Sequence, residues 1–401
     1  MANAVNEGLD DVVIVSAVRT PIGSFNGCLS ALKGHQLGAV VIKAALSRVS
    51  ATIKPDEISE VFMGQVLTAN EGQNPARQAA RGGGLPYTIP ATTVNMVCGS
   101  GMKAIVLGTQ AIRTGDATIV VAGGQESMSQ APHCIPLRNG KKMGDTTLVD
   151  SMVHDGLTDA FNHVHMGITA ETVAQTCDVT REEQDEFALS SQRKCEEAMT
   201  LGHFDAEIEP IVLATAKSEV HIKTDEYPRK QTTLAGLTNL KTVFKEAGTV
   251  TAGNASGLND GAAAVVLCSN RTAKLKQLAP LARIVSYGQS GIDPLLMGLA
   301  PVGAIKDALT KAKWDIETVD LFELNEAFAS QSVAVSKELR IDPKKLNVNG
   351  GAIALGHPLG GSGARILVTL IHTLKRTGLK RGCAALCIGG GLGIAMCIEI
   401  Y

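Results

Sequence analysis

Hydrophobic residues along the chain follow two recurring patterns. Short, mostly continuous apolar runs occur at residues 12–16, 60–64, 119–122, 263–268, 282–286, 384–388 and 394–400. Longer stretches with apolar residues at helical spacing and few breakers lie at residues 35–49, 101–113, 302–312, 327–338 and 362–376. The first pattern predicts buried strands, and the second predicts helices. Because the two alternate, the sequence predicts an α/β fold.

One ordered set of motifs occurs twice. The first copy reads Val94-Asn95, Cys98, Gly99-Ser100-Gly101, Arg113-Thr114-Gly115 and Gly123-Gly124. The second copy reads Val348-Asn349, His357, Gly361-Ser362-Gly363, Arg376-Thr377-Gly378 and Gly389-Gly390-Gly391. In both, a predicted helix follows the Gly-Ser-Gly motif and a predicted strand precedes the closing glycines. Several matched motifs in the same order indicate an internal duplication.

The repeat divides the chain into two halves and an insert. We expect an N-terminal half at residues 1–127, completed by about 258–279, and a C-terminal half at residues 280–401. The insert, residues 128–257, is more polar and less regular than either half. Its one strongly predicted helix, residues 180–200, opens with a capping box formed by Thr180 and Glu183.

Composition excludes several classes of function. The formal net charge is −2 and there is no basic stripe, so we expect no nucleic-acid partner. The most apolar stretch, residues 382–398, is rich in glycine and shorter than the roughly 20 residues of a membrane helix, so we expect no membrane anchor. Nine cysteines without paired spacing indicate reduced thiols.

The first residues of the chain bear on its compartment. Residues 1–11 include Glu7 and Asp10 and resemble neither a secretory signal nor a transit peptide. We therefore expect a cytoplasmic protein, or a mitochondrial one if a presequence has been removed.

Cys98 is the first candidate for chemistry. It lies in Val97-Cys98-Gly99-Ser100-Gly101, at a predicted strand-to-helix turn. The N-terminus of the following helix presents free N–H groups and the positive end of a dipole, which predicts a lowered pKa and a reactive thiol. A small buried cysteine at a tight turn is an equally good interpretation of this position alone.

His357 occupies the corresponding region of the second copy. It lies between Gly356 and Pro358, again before a predicted helix. If the two halves pack about a pseudo-twofold axis, the two loops face each other, and His357 becomes the general base for Cys98. The alternative is a histidine that caps a helix or faces solvent.

Two further candidates follow predicted strands. Cys387 precedes Gly389-Gly390-Gly391, where a thiol could move a proton beside the backbone N–H groups of an oxyanion hole. Asn325 stands between a strand and a helix, where it could cap the helix, hold a water or donate to an oxyanion. His163, His165 and Glu171 complete no known metal-ligand spacing, so we predict no metal site.

These residues resemble the thiolase family, and more closely its biosynthetic type. The matching motifs are Val97 to Gly101, Asn325-Glu326-Ala327-Phe328, Gly356-His357-Pro358, Cys387 to Gly391, Asn254 to Ala262 and His165-Met166-Gly167. The resemblance extends from Val13 to Ile398. It implies duplicated βαβαβαββ halves in a five-layered α-β-α-β-α core, with an inserted loop domain.

The resemblance also implies a reaction. Cys98 accepts an acetyl group from acetyl-CoA with His357 as base, and Cys387 deprotonates a second acetyl-CoA to give acetoacetyl-CoA and CoA. His357 and a water on Asn325 hold the enolate oxygen, and the N–H groups of Cys98 and Gly389 hold the acetyl oxygen. No cofactor is required, because the CoA thioesters are the substrates.

Binding residues are implied less directly. Ser256 and Ala255 would contact pantetheine, His165, Met166, Met297 and Phe328 would line its tunnel, and Arg229 would lie near the adenine. A K⁺ site is implied near Tyr227, Ala252, Gly253, Ala255 and Ile353. The loop at residues 134–150 would join two dimers into a homotetramer.

Several other functions compete with this one. Cys98, His357 and Asn325 also form the set of a cysteine hydrolase, which would give Cys387 no role. A ketosynthase would not need Cys387 followed by glycines. A 3-ketoacyl-CoA thiolase of broader chain length and a CoA-binding scaffold without activity remain alternatives.

Overall fold

A computed structural model describes residues 11–214 and 218–401; Glu7 and Asp10 lie outside the described residues. The strands are β1 Val12–Arg19, β2 Gly23–Ser24, β3 Glu60–Gly64, β4 Ala91–Val94, β5 Ile119–Ser127, β6 His133–Cys134, β7 Val149–Asp150, β8 Ile211–Ala214, β9 Glu219–Ile222, β10 Asn259–Ser269, β11 Ala282–Gly291, β12 Leu321–Leu324, β13 Arg381–Ile388 and β14 Leu392–Ile400. The helices are α1 Gly34–Ser47, α2 Pro75–Gly82, α3 Ser100–Thr114, α4 Met166–Thr176, α5 Arg181–Thr200, α6 Leu234–Thr238, α7 Asn270–Leu275, α8 Ala300–Ala312, α9 Ala329–Leu339, α10 Ala352–Leu355 and α11 Leu359–Thr377.

Strand order reveals the duplication. The main sheet runs β12-β13-β14-β11-β1-β10-β5-β3-β4. In the N-terminal half β3 is parallel to β4 and β5, and β5, β10 and β1 pair antiparallel. In the C-terminal half β12 is parallel to β13, and β13, β14 and β11 pair antiparallel. A parallel bridge from Phe322 to Leu346 stands where β4 stands in the first half. Each half therefore has the same order and sense.

Three apolar clusters fill the spaces between the helix and sheet layers. One cluster joins α3 and α11 to strands of both halves, through residues such as Met102, Leu367 and Leu386. A second packs α1 and α2 on the other side of the N-terminal strands, and a third packs α8 and α9 on the C-terminal strands. The arrangement is that of the thiolase-like α-β-α-β-α core. Burial of continuous Val, Ile and Ala runs is what this layering requires of its strands.

The predicted elements are confirmed with small shifts in their ends. The predicted helix at residues 180–200 is α5, and Thr180 and Glu183 form the expected capping box. Helix α11 begins at Leu359, ahead of the Gly-Ser-Gly motif, whereas α3 begins within it. Helices α2 and α4 were not predicted. The first is short and rich in arginine, and the second begins after His165, which is not a usual capping residue.

A buried arginine of the core binds two carboxylates of the insert. Arg19 of β1 is fully buried. Its Nε donates to Glu207 at 2.6 Å, and its Nη1 donates to Asp225 at 2.7 Å. Losing Arg19 would leave two buried carboxylates without their shared cation, so this pairing helps to fix the insert against the sheet. No helix in the described part of the chain is both long and apolar enough to cross a bilayer.

Close packing of the two halves depends on Gly124. A Cβ atom on Gly124 would lie 2.0 Å from the carbonyl oxygen of Gly360 in α11, and backbone cannot yield as a side chain can. We expect Gly124→Ala to lower the free energy of unfolding by about 3 kcal/mol, which thermal and denaturant unfolding will measure. Gly291→Ala is the control, because its Cβ would meet only a side-chain atom at 3.8 Å. Equal effects in the two variants would contradict the packing argument.

Candidate active site

The two repeated loops meet at one cavity. It has a volume of about 410 Å³ and is lined by Cys98, His357, Cys387 and Gly389 from the two halves of the core. Its outer part is lined by residues of the insert and of the loops beside it, including His165, Met166 and Ser256. The predicted facing of Cys98 and His357 is thus present in the structure.

A strained turn presents Cys98. Val97 has φ of +45°, which is unfavourable for a β-branched residue. Ser100 is fully buried and closes the turn, since its hydroxyl donates to the Val97 carbonyl at 2.6 Å and accepts the Met96 N–H at 2.8 Å. The N–H of Gly389 hydrogen-bonds the Cys98 thiol from the other half of the molecule. Strain held by surrounding bonds is a recurrent feature of reactive positions.

The predicted lowering of the Cys98 pKa is wrong. Burial raises the pKa of Cys98 to about 11, and the negative charge of Glu126 adds to the rise. The N–H groups of Gly389 and of Cys98 itself oppose it only in part. Desolvation of the thiolate therefore outweighs the helix N-terminus. Cys98 rests as a thiol and needs a base.

His357 is suited to be that base. Burial, and then the charge of Arg365, lower the pKa of His357 to about 3, so its imidazole is neutral at physiological pH. Its backbone N–H donates to Asn259 at 2.9 Å. Its ring is 2.5 Å from the hydroxyl of Ser362 through Nδ1. A neutral imidazole held in place by its neighbours can accept a proton directly.

Asn325 lies against the His357 ring. It follows β12, is fully buried, and its Nδ2 is 3.4 Å from Nδ1 and 3.5 Å from Nε2 of His357. Its side-chain oxygen is buried without a hydrogen-bond partner among the described residues. The capping alternative is wrong, because Phe328 is the N-cap of α9. The amide therefore contacts the His357 ring, and Asn325 itself is not among the residues that line the cavity.

Cys387 lies near the end of β13 beside Cys98. It is buried, and burial together with the neighbouring Cys98 raises the pKa of its thiol. It packs in an apolar cluster with Met166, Met297 and Phe328. A thiol of raised pKa is a strong base once its proton has been removed.

An aromatic stack borders the outer part of the cavity. The His165 and Phe244 rings stack at 4.7 Å, and Phe244 meets Phe328 edge-on at 6.3 Å. His165 also caps α4, since its Nδ1 accepts the Gly167 N–H at 3.0 Å. Burial lowers the pKa of His165, so the ring stays neutral. Phe244 carried no recognisable motif in the sequence.

The remaining predicted binding residues lie around this cavity and around a second, neighbouring cavity of about 270 Å³. Ala255 and Ser256 line the cavity. They bond to the segment just before α9: Ala255 forms an antiparallel β-bridge with Phe328, and the Ser256 N–H donates to the Ala327 carbonyl at 3.0 Å. Arg229 lines both cavities, and its guanidinium stands 5.6 Å from the Tyr227 ring centroid.

The K⁺ candidates divide between the two cavities. Tyr227 and Ala255 line the first, Gly253 and Ile353 line the second of about 270 Å³, and Ala252 lines both. Among the described residues no group of three His, Cys, Asp or Glu side chains is placed to hold a metal.

Sequence reasoning missed the residues that hold the loops. Glu126 is fully buried and accepts the N–H groups of Val66, Leu67 and Gly360 at 3.0, 3.1 and 2.8 Å. Burial raises the pKa of Glu126 to about 7. Its signal in the sequence was only its position after Gly123-Gly124. Asn259 lay within a quoted motif but had no role assigned.

Two family models together match most of the chain. The family model "Thiolase, N-terminal domain" matches residues 12–271, and "Thiolase, C-terminal domain" matches residues 278–400. This chain belongs to the thiolase family. It is similar to the cytosolic acetyl-CoA acetyltransferase of Mus musculus, with 56% identity over 98% of this chain and 99% of that protein. It is also similar to the acetyl-CoA acetyltransferase of Cupriavidus necator, with 57% identity over 98% of this chain and 100% of that protein.

A solved thiolase structure has the same fold. The crystal structure of the Bacillus anthracis acetyl-CoA acetyltransferase matches with a TM-score of 0.96 and 44% identity. The match covers 99% of this chain and 100% of that one. The thiolase fold implied by the resemblance is confirmed.

Proposed function

We propose that this thiolase is an acetyl-CoA C-acetyltransferase that reversibly condenses two acetyl-CoA to acetoacetyl-CoA and CoA. The single observation that carries the proposal is the presence of two thiols, Cys98 and Cys387, in one cavity with a neutral histidine. Full-length relatives named acetyl-CoA acetyltransferase support the choice of substrate. A second thiol distinguishes carbon–carbon bond formation from hydrolysis, because hydrolysis needs one nucleophile only.

The first half-reaction forms acetyl-Cys98. His357 removes the thiol proton, and the sulfur of Cys98 attacks the thioester carbonyl. The N–H groups of Cys98 and Gly389 receive the developing oxyanion, and such donors are worth roughly 3 kcal/mol each. The carbon–sulfur bond to CoA breaks. The departing sulfur takes the proton of Cys387, which leaves Cys387 as a thiolate.

The second half-reaction makes the carbon–carbon bond. The Cys387 thiolate removes a methyl proton from a second acetyl-CoA, and His357 and a water held by Asn325 stabilise the enolate oxygen. The enolate carbon attacks acetyl-Cys98, and Cys98 leaves with the proton that His357 had held. All protons return to their starting places, so the cycle needs no cofactor.

One assay tests the proposal. The purified protein is mixed with acetoacetyl-CoA and CoA, and the loss of acetoacetyl-CoA is followed. Folded protein that causes no loss would exclude a thiolase activity and leave a CoA-binding scaffold. Release of acetoacetate without formation of acetyl-CoA would indicate a hydrolase.

Chain length is the second question for the same assay. Met166, Met297 and Phe328 are buried beside Cys387 and restrict the space around the acyl group. They support a short-chain enzyme over a 3-ketoacyl-CoA thiolase of broader range. Equal cleavage rates for acetoacetyl-CoA and longer 3-ketoacyl-CoA would favour the broader enzyme.

The insert is proposed to bind CoA and to build a homotetramer, a dimer of dimers. Its loop between β6 and β7 exposes Leu137, Met143 and Leu148 by 51, 89 and 58%. Exposed apolar side chains on a hairpin support association. The free edge of β4 supports pairing within each dimer.

A double variant tests the tetramer. We expect Met143→Asp with Leu148→Asp to convert tetramers to dimers, since two charges would be buried unpaired. Light scattering after size-exclusion chromatography measures the mass. Leu275→Asp is the control, because Leu275 is 80% exposed on α7. A wild-type dimer, or a double variant that stays tetrameric, would contradict the assignment.

The proposal also includes a bound K⁺ ion and a cytoplasmic location. Tyr227 and Ala252 line the first cavity and could offer a hydroxyl and a backbone carbonyl, which suit a hard cation, although the Ile353 carbonyl already accepts from Gln192 at 3.2 Å. We propose that K⁺ stimulates activity and is not required; equal rates in KCl and choline chloride would remove it. The cytosolic mouse relative supports a cytoplasmic location.

A further inference from the structure

The hydroxyl of Ser362 lies between the His357 ring and the backbone of the same loop. Its Oγ is 2.5 Å from Nδ1 of His357 and 2.8 Å from the carbonyl oxygen of Pro358. Ser362 is fully buried in the first turns of α11 and does not line the cavity. It therefore contacts the proposed base from behind, away from substrate.

This geometry fixes where the protons are. A serine hydroxyl carries one proton, and a carbonyl oxygen only accepts, so the Ser362 proton points at Pro358. Toward His357 the oxygen can then only accept, and Nδ1 must carry the hydrogen. The opposite assignment would leave two oxygens 2.8 Å apart without a proton between them in a buried site, which is costly.

The other polar neighbour of the ring does not decide the tautomer. The Asn325 amide nitrogen is nearly equidistant from the two ring nitrogens, at 3.4 and 3.5 Å. Both distances exceed the roughly 2.9–3.0 Å of a good hydrogen bond. Among the described residues, only the Ser362 contact distinguishes Nδ1 from Nε2.

We propose that Ser362 is a positioning residue that holds His357 in the Nδ1–H tautomer and leaves Nε2 as the acceptor of the Cys98 proton. This rests on the proposed function only for the identity of the proton donor. When Nε2 takes that proton, the imidazolium keeps its Nδ1–H bond to the Ser362 oxygen. The ring then needs no reorientation between accepting the proton and returning it.

The internal duplication gives this serine a counterpart. Ser100 has the same place in the first Gly-Ser-Gly motif, and its hydroxyl also bonds the backbone of the loop before its helix, at the Val97 carbonyl. Its acceptor capacity is used by the Met96 N–H at 2.8 Å. In the second copy the corresponding serine oxygen, that of Ser362, contacts the His357 side chain instead of a backbone N–H. The same serine position thus closes the loop in both halves and also contacts the histidine in the C-terminal half.

The tautomer is measured first, without catalysis. The resting protein is labelled with ¹⁵N-histidine, and the His357 signals are assigned by their loss in His357→Asn. We expect the proton on Nδ1 and a free Nε2. A proton on Nε2 would overturn the proposal, whether or not the protein cleaves acetoacetyl-CoA.

Kinetics of a matched pair of variants follow. We expect Ser362→Ala to populate both tautomers and to slow acetyl-enzyme formation by roughly 10- to 100-fold, with KM for acetyl-CoA within about twofold. Thr109→Val is the control, since it also removes a buried hydroxyl that bonds a carbonyl one helical turn back, at 2.8 Å in α3, but touches no histidine. A folded Ser362→Ala protein with an unchanged tautomer would overturn the proposal at any rate of acetylation. If Ser362→Ala does not fold, the wild-type tautomer decides.

Discussion

Replacing Cys387 by alanine will separate the two half-reactions. We expect Cys387→Ala to form acetyl-Cys98 at a rate within about tenfold of wild type, because a CoA thiolate with a pKa near that of an ordinary thiol, about 8.5, leaves without an acid. We expect condensation to fall by roughly 100- to 10,000-fold, the usual contribution of a general base. No other side chain in the apolar cluster around Cys387 can remove a methyl proton.

The separation is measured by two experiments on one preparation. Labelled acetyl-CoA reports the acetyl group bound per chain, and the formation of acetoacetyl-CoA reports condensation. Cys383→Ala is the matched control. Cys383 is a buried thiol on the same strand, lies opposite Cys397 of β14 and does not line the cavity. Cys98→Ser should bind no acetyl group. A Cys387→Ala variant that condenses normally would remove Cys387 from the mechanism.

The rate of alkylation of Cys98 by iodoacetamide will rise steeply with pH. Because burial raises the pKa of Cys98 to about 11, the thiolate is a minor species at neutral pH. Below the pKa, each unit of pH increases the thiolate about tenfold, so we expect roughly a 1,000-fold rise in rate between pH 6 and pH 9. Mass spectrometry of the Cys98 peptide at successive times gives the rate.

The shape of the profile distinguishes two resting states. A resting thiolate, as the lowered pKa predicted from the helix N-terminus would give, or a thiolate–imidazolium pair would produce a rate that levels off near neutral pH. A thiol beside a neutral His357 gives a rate that keeps rising. Cys98→Ser identifies the peptide and shows any alkylation elsewhere. A plateau in wild type would show that His357 is charged at rest, against its pKa of about 3.

Much of the fold was predictable from local pattern. Buried strands such as β5 and β13 contain continuous apolar runs, and the first turns of helices α3 and α11 contain all or part of the Gly-Ser-Gly motifs that the duplication repeats. Helix α2 was not predicted because it is short and its half-buried arginines interrupt the apolar stripe that its alanines form. The pairing of Cys98 with His357 was predictable only because the repeat placed both before equivalent helices.

Residue type and order were enough to establish the α/β class, the duplicated architecture and the candidate reactive side chains. The charges on Cys98 and His357 depend instead on how the folded chain encloses them. The helix N-termini beside Cys98 and His357 are local features of the sequence. Desolvation of the two side chains depends on every chain segment that closes the cavity, and its effect on their pKa values exceeds that of the helix dipoles. The thiol whose position first suggested an activated nucleophile is therefore protonated at rest, and its activation depends on the loop from the other half.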